Sequence, residues 1–175
     1  SVLPKAEIVD YYANDWGKPE LVKAQAKNWY DSGVCTIYSA AGGTGNGTIA
    51  MAKEYRSQGK NVWAIGVDSD QYEEGVYTAG KSAVLTSMLK RVESSTLYAL
   101  KAVQSNTFAS KVLVLDMKAD GIGYSVRNEE LNADIVKKVD AIKKDIIDGK
   151  IKVYATYKDA LAAGVVPAGL GAKDN

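Results

Sequence analysis

Along the chain, short apolar runs rich in β-branched residues alternate with longer segments in which apolar side chains return every three or four positions. Parallel strands joined by covering helices produce that rhythm, so the pattern predicts an α/β fold. Ala6 to Tyr12 reads as a first strand. Val22, Ala26 and Trp29 then fall on one helical face, with Pro19 suited to the first turn and Gly33 to the stop. Val34 to Ala40 reads as a second strand, which leads through a glycine-rich connection into a helix from Thr48 to Ser57, ended at Gly59. The next run, Asn61 to Val67, is apolar almost throughout, as a central strand covered on both faces must be.

Beyond a polar connection, Ser82 to Thr86 reads as a short strand, and Val92, Thr96, Ala99 and Val103 recur at helical spacing. Lys111 to Asp116 is a further strand candidate. A last helix runs from Asn132, a good N-cap, to Gly149; Ile135, Val139, Ile142 and Ile146 form its apolar face, and its lysines and aspartates form a solvated one. Ile151 to Thr156 reads as an edge strand, and the segment from Gly164 onward as a terminal tail. The pattern thus predicts one α/β lobe over residues 1–163 and a tail over 164–175, with no internal repeat.

Composition narrows the functional classes. The chain has 175 residues, 46% of them apolar, enough to fill one ordinary core. Lysine and arginine total 22 against 21 acidic residues, so no basic excess is available to neutralise phosphates, and nucleic acid is not an expected partner. Histidine is absent, which removes the commonest general base and the commonest metal ligand; neither a metal nor a cofactor is expected, and most hydrolases are disfavoured. The lone Cys35 sits in the run Val34-Cys35-Thr36-Ile37-Tyr38 and reads as strand filling, with no second cysteine for a disulfide or zinc site. No run approaches the roughly 20 apolar residues of a membrane span, and no leader segment is evident, so the sequence predicts a soluble chain without an address of its own.

The sharpest local feature is Ala41-Gly42-Gly43-Thr44-Gly45-Asn46-Gly47, between a strand and a helix. Glycines there let the backbone approach a ligand, and free N–H groups at the helix start offer donors. A Walker loop is excluded because no Gly-Lys-Ser/Thr follows; a dinucleotide loop fits poorly, because Trp63 and Ala64 stand where its acidic ribose partner belongs. A ligand-approaching loop and a plain tight turn both remain. Asp68 and Asp70 follow the central strand, at the carboxyl end where open α/β sheets bind ligands. An ionised carboxylate can accept both hydrogens of a vicinal diol, which suits a ribose. Metal or glycosidase chemistry would need further ligands or an assignable acid and base, and neither is in the pattern. Lys90 falls in the expected first turn of the following helix, where a cation opposes the macrodipole; it either snorkels into solvent or reaches into the same cleft as Asp68. Tyr38 ends the second strand, either filling core space or offering a stacking platform.

Four ordered motifs carry a resemblance: Tyr38-Ser39-Ala40-Ala41-Gly42-Gly43-Thr44-Gly45, Ile65-Gly66-Val67-Asp68-Ser69-Asp70-Gln71, Leu85-Thr86-Ser87-Met88-Leu89-Lys90-Arg91-Val92, and Asp148-Gly149-Lys150-Ile151-Lys152-Val153. Together they closely resemble the basic membrane protein family, lipoprotein receptors that deliver purine nucleosides to ABC transporters. The resemblance implies a type I periplasmic-binding-protein-like fold: two lobes around a cleft, each a three-layer α/β/α unit with a mostly parallel sheet. It makes this chain the C-terminal lobe with segments crossing near the hinge, among them Gly121 to Tyr124, and leaves the N-terminal lobe missing. It further implies that Asp68 holds the ribose hydroxyls, that Lys90 hydrogen-bonds in the same sugar region, that Gly42 and Gly43 approach the nucleoside, and that Tyr38 stacks on the base. A second ring and the base-reading polar groups would lie on the missing lobe. The implied function is binding of guanosine, inosine or adenosine without turnover, by an extracytoplasmic, membrane-anchored receptor serving an ABC transporter permease. Two alternatives stay open: a ligand-sensing regulatory protein built on the same lobe, and a nucleoside-processing enzyme using Asp68, Asp70 and Lys90 as acid, base and electrostatic groups.

Overall fold

In the computed structural model of the chain, which describes residues 6–166, Pro19 stands at the start of α1 (Pro19–Asp31), where its missing N–H has no helical partner to lose. Val22, Ala26 and Tyr30 form the buried face of α1. The chain then enters β1 (Thr36–Tyr38), passes through a 3-10 turn (Gly42–Gly45) and continues as α2 (Asn46–Ser57). Helices α1 and α2 cross so closely that a side chain at Gly47 would collide with the Pro19 carbonyl and the Lys23 nitrogen. Next come β2 (Trp63–Asp68), the short antiparallel pair β3 (Val76–Thr78) and β4 (Lys81–Ser82), β5 (Val84–Lys90), α3 (Val92–Gln104) and β6 (Ile122–Tyr124).

The main sheet has the order β1-β2-β5-β6, with β1, β2 and β5 parallel and β6 antiparallel to β5. This open, mostly parallel sheet is the α/β architecture that the hydrophobic pattern predicts. Its core joins Ala26 and Tyr30 of α1, Ile37 of β1, Ile49, Ala52 and Tyr55 of α2, Ala64 of β2 and Val84 of β5. Arg56 ties the far end of α2 down: its guanidinium lies 3.9 Å from the Trp63 ring centroid, bonds Tyr77 at 3.2 Å, and meets both Glu130 oxygens at 2.8 and 2.9 Å. Contacts divide the chain into two compact units, Ser1–Asn132 and Ala133–Asn175. The second holds α4 (Ala133–Ile147) and α5 (Tyr157–Ala162), whose N-cap Thr156 accepts from the Asp159 N–H at 3.1 Å.

Several expected elements differ. Ala6 to Tyr12 and Lys111 to Asp116 form no strand, because no ladder pairs with either among the described residues; Ile8 and Val112 stand 90% and 91% exposed. Ile151 to Thr156 is likewise no strand: the Lys150 and Ile151 N–H groups fold back onto Asp145 of α4. Cys35 lies just outside β1 and is exposed, not strand filling. The strand expected at Ser82 to Thr86 begins later and runs to Lys90, and the β3-β4 hairpin, β6 and α5 are absent from the sequence reading. Of the tail expected from Gly164, residues 167–175 lie outside the described residues.

Asp31, the last residue of α1, sits where the helix dipole disfavours an anion. It is held by hydrogen bonds from Lys27 at 2.6 Å and from the Tyr55 hydroxyl at 2.6 Å, which draw its carboxyl from 3.8 down to about 2. A carboxylate with a depressed folded-state pKa contributes stability above its ordinary value and loses it as pH falls toward the folded value. Denaturant unfolding of Asp31→Asn should therefore show a flatter loss of stability between pH 3.8 and about 2 than the parent chain.

Candidate ligand-binding site

Strands β2 and β5 end side by side, with Asp68 opposite Leu89 in the parallel register. Asp68 takes the left-handed conformation, with φ of 68°, and the Ser69 N–H closes back on the Val67 carbonyl at 2.9 Å. This turn brings an Asp68 carboxylate oxygen within 2.8 Å of the Lys90 ammonium. Lys90 is the last residue of β5 and not, as the sequence predicts, part of the first turn of α3, whose N-cap is Arg91. Lys90 and Asp68 side chains are 58% and 47% exposed, and an ion pair so open to water contributes little stability. Fold stability accounts for neither the strained backbone nor the pair.

Asp70 plays a different part. One of its oxygens accepts from the Tyr72 N–H at 3.1 Å and the other from the Ser125 hydroxyl at 2.9 Å, so the carboxylate clips the turn to the segment after β6. The two carboxylates are thus not an acid and base facing one reacting atom. A concavity of about 470 Å³ opens here, lined by Asp68, Ser69, Asp70, Lys90, Arg91 and Glu93 among others. Arg91 donates its N–H to the Gly121 carbonyl at 2.9 Å, which sets the Gly121–Tyr124 segment beside the rim. Among the described residues, no group of three or more Cys, Asp or Glu side chains is arranged to hold a metal ion.

Tyr38 ends β1 on the same carboxyl edge. It is 50% exposed, so it does not fill the core, and its phenol is pushed up by partial burial and by the Asp68 charge. The glycine loop that follows is crossed by residues 15–18. Buried Thr44 anchors them: its N–H donates to the Trp16 carbonyl at 3.0 Å, and its hydroxyl donates to the Asp15 carbonyl at 2.8 Å and accepts from the Lys18 N–H at 2.9 Å. A Cβ at Gly42, whose φ is 53°, would meet the Trp16 ring at 3.2 Å, and one at Gly43 the Trp16 carbonyl at 3.2 Å. These two glycines are required first by the chain's own Trp16 segment. Trp16 is 74% exposed, an indole held open over the loop, and sequence reasoning passed over it. Its signal was an aromatic residue in a polar connection, where no core requires one. Of the five candidates, then, Asp68 and Lys90 touch, Tyr38 lies within reach of the Asp68 charge, and Gly42 and Gly43 lie under Trp16.

The family model described as Bmp, ABC transporter substrate-binding protein PnrA-like, matches residues 1–157. The chain belongs to this family. The family is described as one of ABC transporter substrate-binding proteins. Relatives of Bmp type include the CD4+ T-cell-stimulating antigen of Listeria monocytogenes, 38% identical over 160 residues, covering 87% of this chain and 45% of the antigen. The ABC transporter nucleoside-binding protein BmpA of Lactococcus lactis is 33% identical over 161 residues, covering 87% of this chain and 45% of that protein. Basic membrane protein D of Borreliella burgdorferi is 35% identical over 153 residues, covering 84% and 42%. The chain thus spans somewhat under half the length of these curated relatives. Among solved structures, an ABC transporter solute-binding protein from Aeropyrum pernix K1 superposes with a TM-score of 0.73 at 23% identity, over 94% of this chain and 54% of that one. A transcriptional activator of the comK gene from Bacillus halodurans gives 0.68 at 17%, over 82% and 47%. At such identities the superpositions establish a shared fold alone.

The backbone at Asp68 yields a test. Glycine adopts a left-handed conformation freely and alanine does not, so Asp68→Gly should be more stable than Asp68→Ala by about 1 kcal/mol in denaturant unfolding. Equal stabilities would show that the turn relaxes once the carboxylate is gone.

Proposed function

We propose that the chain is the C-terminal, ligand-binding lobe of an extracytoplasmic receptor that captures purine nucleosides for an ABC transporter permease without chemical turnover. The observation that carries this reading is the Asp68–Lys90 pair at the carboxyl edge of the sheet. The carboxylate can accept both hydrogens of a ribose diol while the ammonium donates to a ribose oxygen. Exposed Trp16 and half-exposed Tyr38 flank the glycine loop and supply rings for a purine. The relative from Lactococcus lactis named as nucleoside-binding supports the ligand class.

The lobe, residues 1–163 in this reading, works against an N-terminal lobe on the same polypeptide. Helix α3 has no buried residue; Val92, Leu97, Leu100 and Val103 are exposed, while Val112 and Val114 present a further apolar face with no strand beside them among the described residues. Apolar surface of that extent calls for a cover. A lipid anchor on the complete receptor belongs to the same proposal. The comK activator shares the fold, but fold does not choose between sensor and receptor, and the sequence-level relatives favour the receptor.

Isothermal titration of the protein in its natural full length should show binding of inosine, guanosine or adenosine with no product formed. Asp68→Ala should lower the affinity at least roughly tenfold, the loss expected for one charge-assisted hydrogen bond. Absence of binding to every nucleoside would overturn the reading, and conversion of the ligand would turn it toward an enzyme.

A further inference from the structure

Gln71 is fixed at three points. Its backbone N–H donates to the buried Ser87 hydroxyl at 3.1 Å, its side-chain oxygen accepts from the Val67 N–H at 3.0 Å, and its side-chain nitrogen donates to the Asn46 oxygen at 3.1 Å. A backbone N–H can only donate, so the end of the Gln71 amide facing Val67 has to be the oxygen and the end facing Asn46 the NH2 group. That NH2 group requires an acceptor, so the Asn46 amide turns its oxygen inward and leaves its own NH2 group outward. Gly66 leaves the room for this: a Cβ there would collide with the Ser87 hydroxyl and come within 3.1 Å of the Gln71 Cβ. A free asparagine amide can rotate to suit either a donor or an acceptor; this one is set by a chain that starts at a backbone N–H. Asn46 is exposed, begins α2 directly after the glycine loop, and is joined through Gln71 to the turn that carries Asp68.

We propose that Asn46 is a specificity-determining residue of the site, presenting N–H donors to a hydrogen-bond acceptor on the base of the bound nucleoside, with Gln71 as the positioning residue that sets its polarity. The inference rests on the nucleoside reading above and deepens it, by placing one base-reading group on this lobe. Inosine carries an oxo acceptor at the ring position where adenosine carries an amino donor, so the parent protein favours inosine. Asn46→Asp keeps the bond from Gln71 and turns an acceptor outward, at a helix start where an acidic residue is well tolerated. Gln71→Glu accepts from Val67 and offers Asn46 a second acceptor; the Asn46 amide must then turn its NH2 group inward and its oxygen outward. Both variants add the same charge and both ligands are neutral, so their affinity ratio isolates the change in polarity.

Titration of the full-length protein and both variants with inosine and adenosine tests this. The inosine-to-adenosine affinity ratio should fall about tenfold in Asn46→Asp and in Gln71→Glu alike, although Gln71 touches no ligand. A parent protein that binds and a ratio that neither variant moves, or one that only Asn46→Asp moves, would overturn the relay while leaving the receptor reading intact. A parent protein that binds neither nucleoside defeats both together. Unfolding measurements on the variants exclude a general loss of structure as the cause, since that would lower both affinities and leave the ratio where it was.

Discussion

The parallel pairing of β2 with β5 is the constraint on which the rest depends. The register begins with Ala64 opposite Val84 and resumes with Ile65 opposite Thr86, so β5 carries one extra residue at that point. A β-bulge of this kind re-aims every side chain beyond it. Without it, Asp68 would lie opposite Met88, and Lys90 would lie a further residue beyond the end of β2. With it, Asp68 lies opposite Leu89 and Lys90 stands directly beside the turn, close enough for its ammonium to meet the carboxylate. The same irregularity puts the Ser87 side chain into the interior, where its hydroxyl receives the Gln71 N–H.

From that pairing the edge is built by polar contacts instead of apolar packing. Ser87 and Val67 hold Gln71, and Gln71 holds Asn46. Asp70 holds Ser125, whose N–H is bound by the Ser87 carbonyl and whose own carbonyl receives the Thr86 hydroxyl. Each bond is short-range and directional, so together they fix the Asp68 turn more tightly than the three-residue β1 could by itself. The glycine loop is set separately, by Thr44 reaching the Asp15 and Trp16 carbonyls. The edge therefore has two separately anchored parts, and the Gln71–Asn46 bond joins them.

What the sequence made legible follows from how local each signal is. The helices α1, α2, α3 and α4 were readable because helical periodicity is a property of one segment, and β2 because a fully apolar run needs no partner to be recognised. Strand β5 was read too short because its buried positions, Val84 and Ser87, are three apart across the bulge, which breaks the two-residue alternation that a strand search follows. Strand β6 lies in a glycine-containing segment whose pairing with β5 is wholly non-local. Ala6 to Tyr12 and Lys111 to Asp116 carry strand-like sequences without a ladder, so their pattern records what the segment could pair with, not what it pairs with among the described residues. Within the site, Asp68 and Asp70 were indistinguishable by position; the φ of 68° and the Lys90 contact at one, and the Tyr72 and Ser125 bonds at the other, separate them. Trp16 was passed over and Gln71 was given no role because what they do rests on contacts with Gly42 and Asn46, 26 and 25 positions away along the chain.

The Asp68–Lys90 pair also bears on what kind of molecule the proposed site would accept. A carboxylate and an ammonium in contact satisfy each other, so a ligand has to replace that contact with something equivalent. A neutral diol does so with both halves of its chemistry: its hydroxyl hydrogens go to the carboxylate and its oxygens receive the ammonium, and the site remains electrically balanced. An anionic ligand would gain from Lys90 but be set against Asp68 and the neighbouring Asp70 and Glu93, which line the same concavity. A cation would face the converse conflict with Lys90 and Arg91. In the proposed site, balanced charge at close quarters would favour an uncharged polyol, because either ionic alternative would leave one member of the pair worse off than before. A ribose attached to an uncharged base meets that condition, and the same bases carrying a phosphate do not.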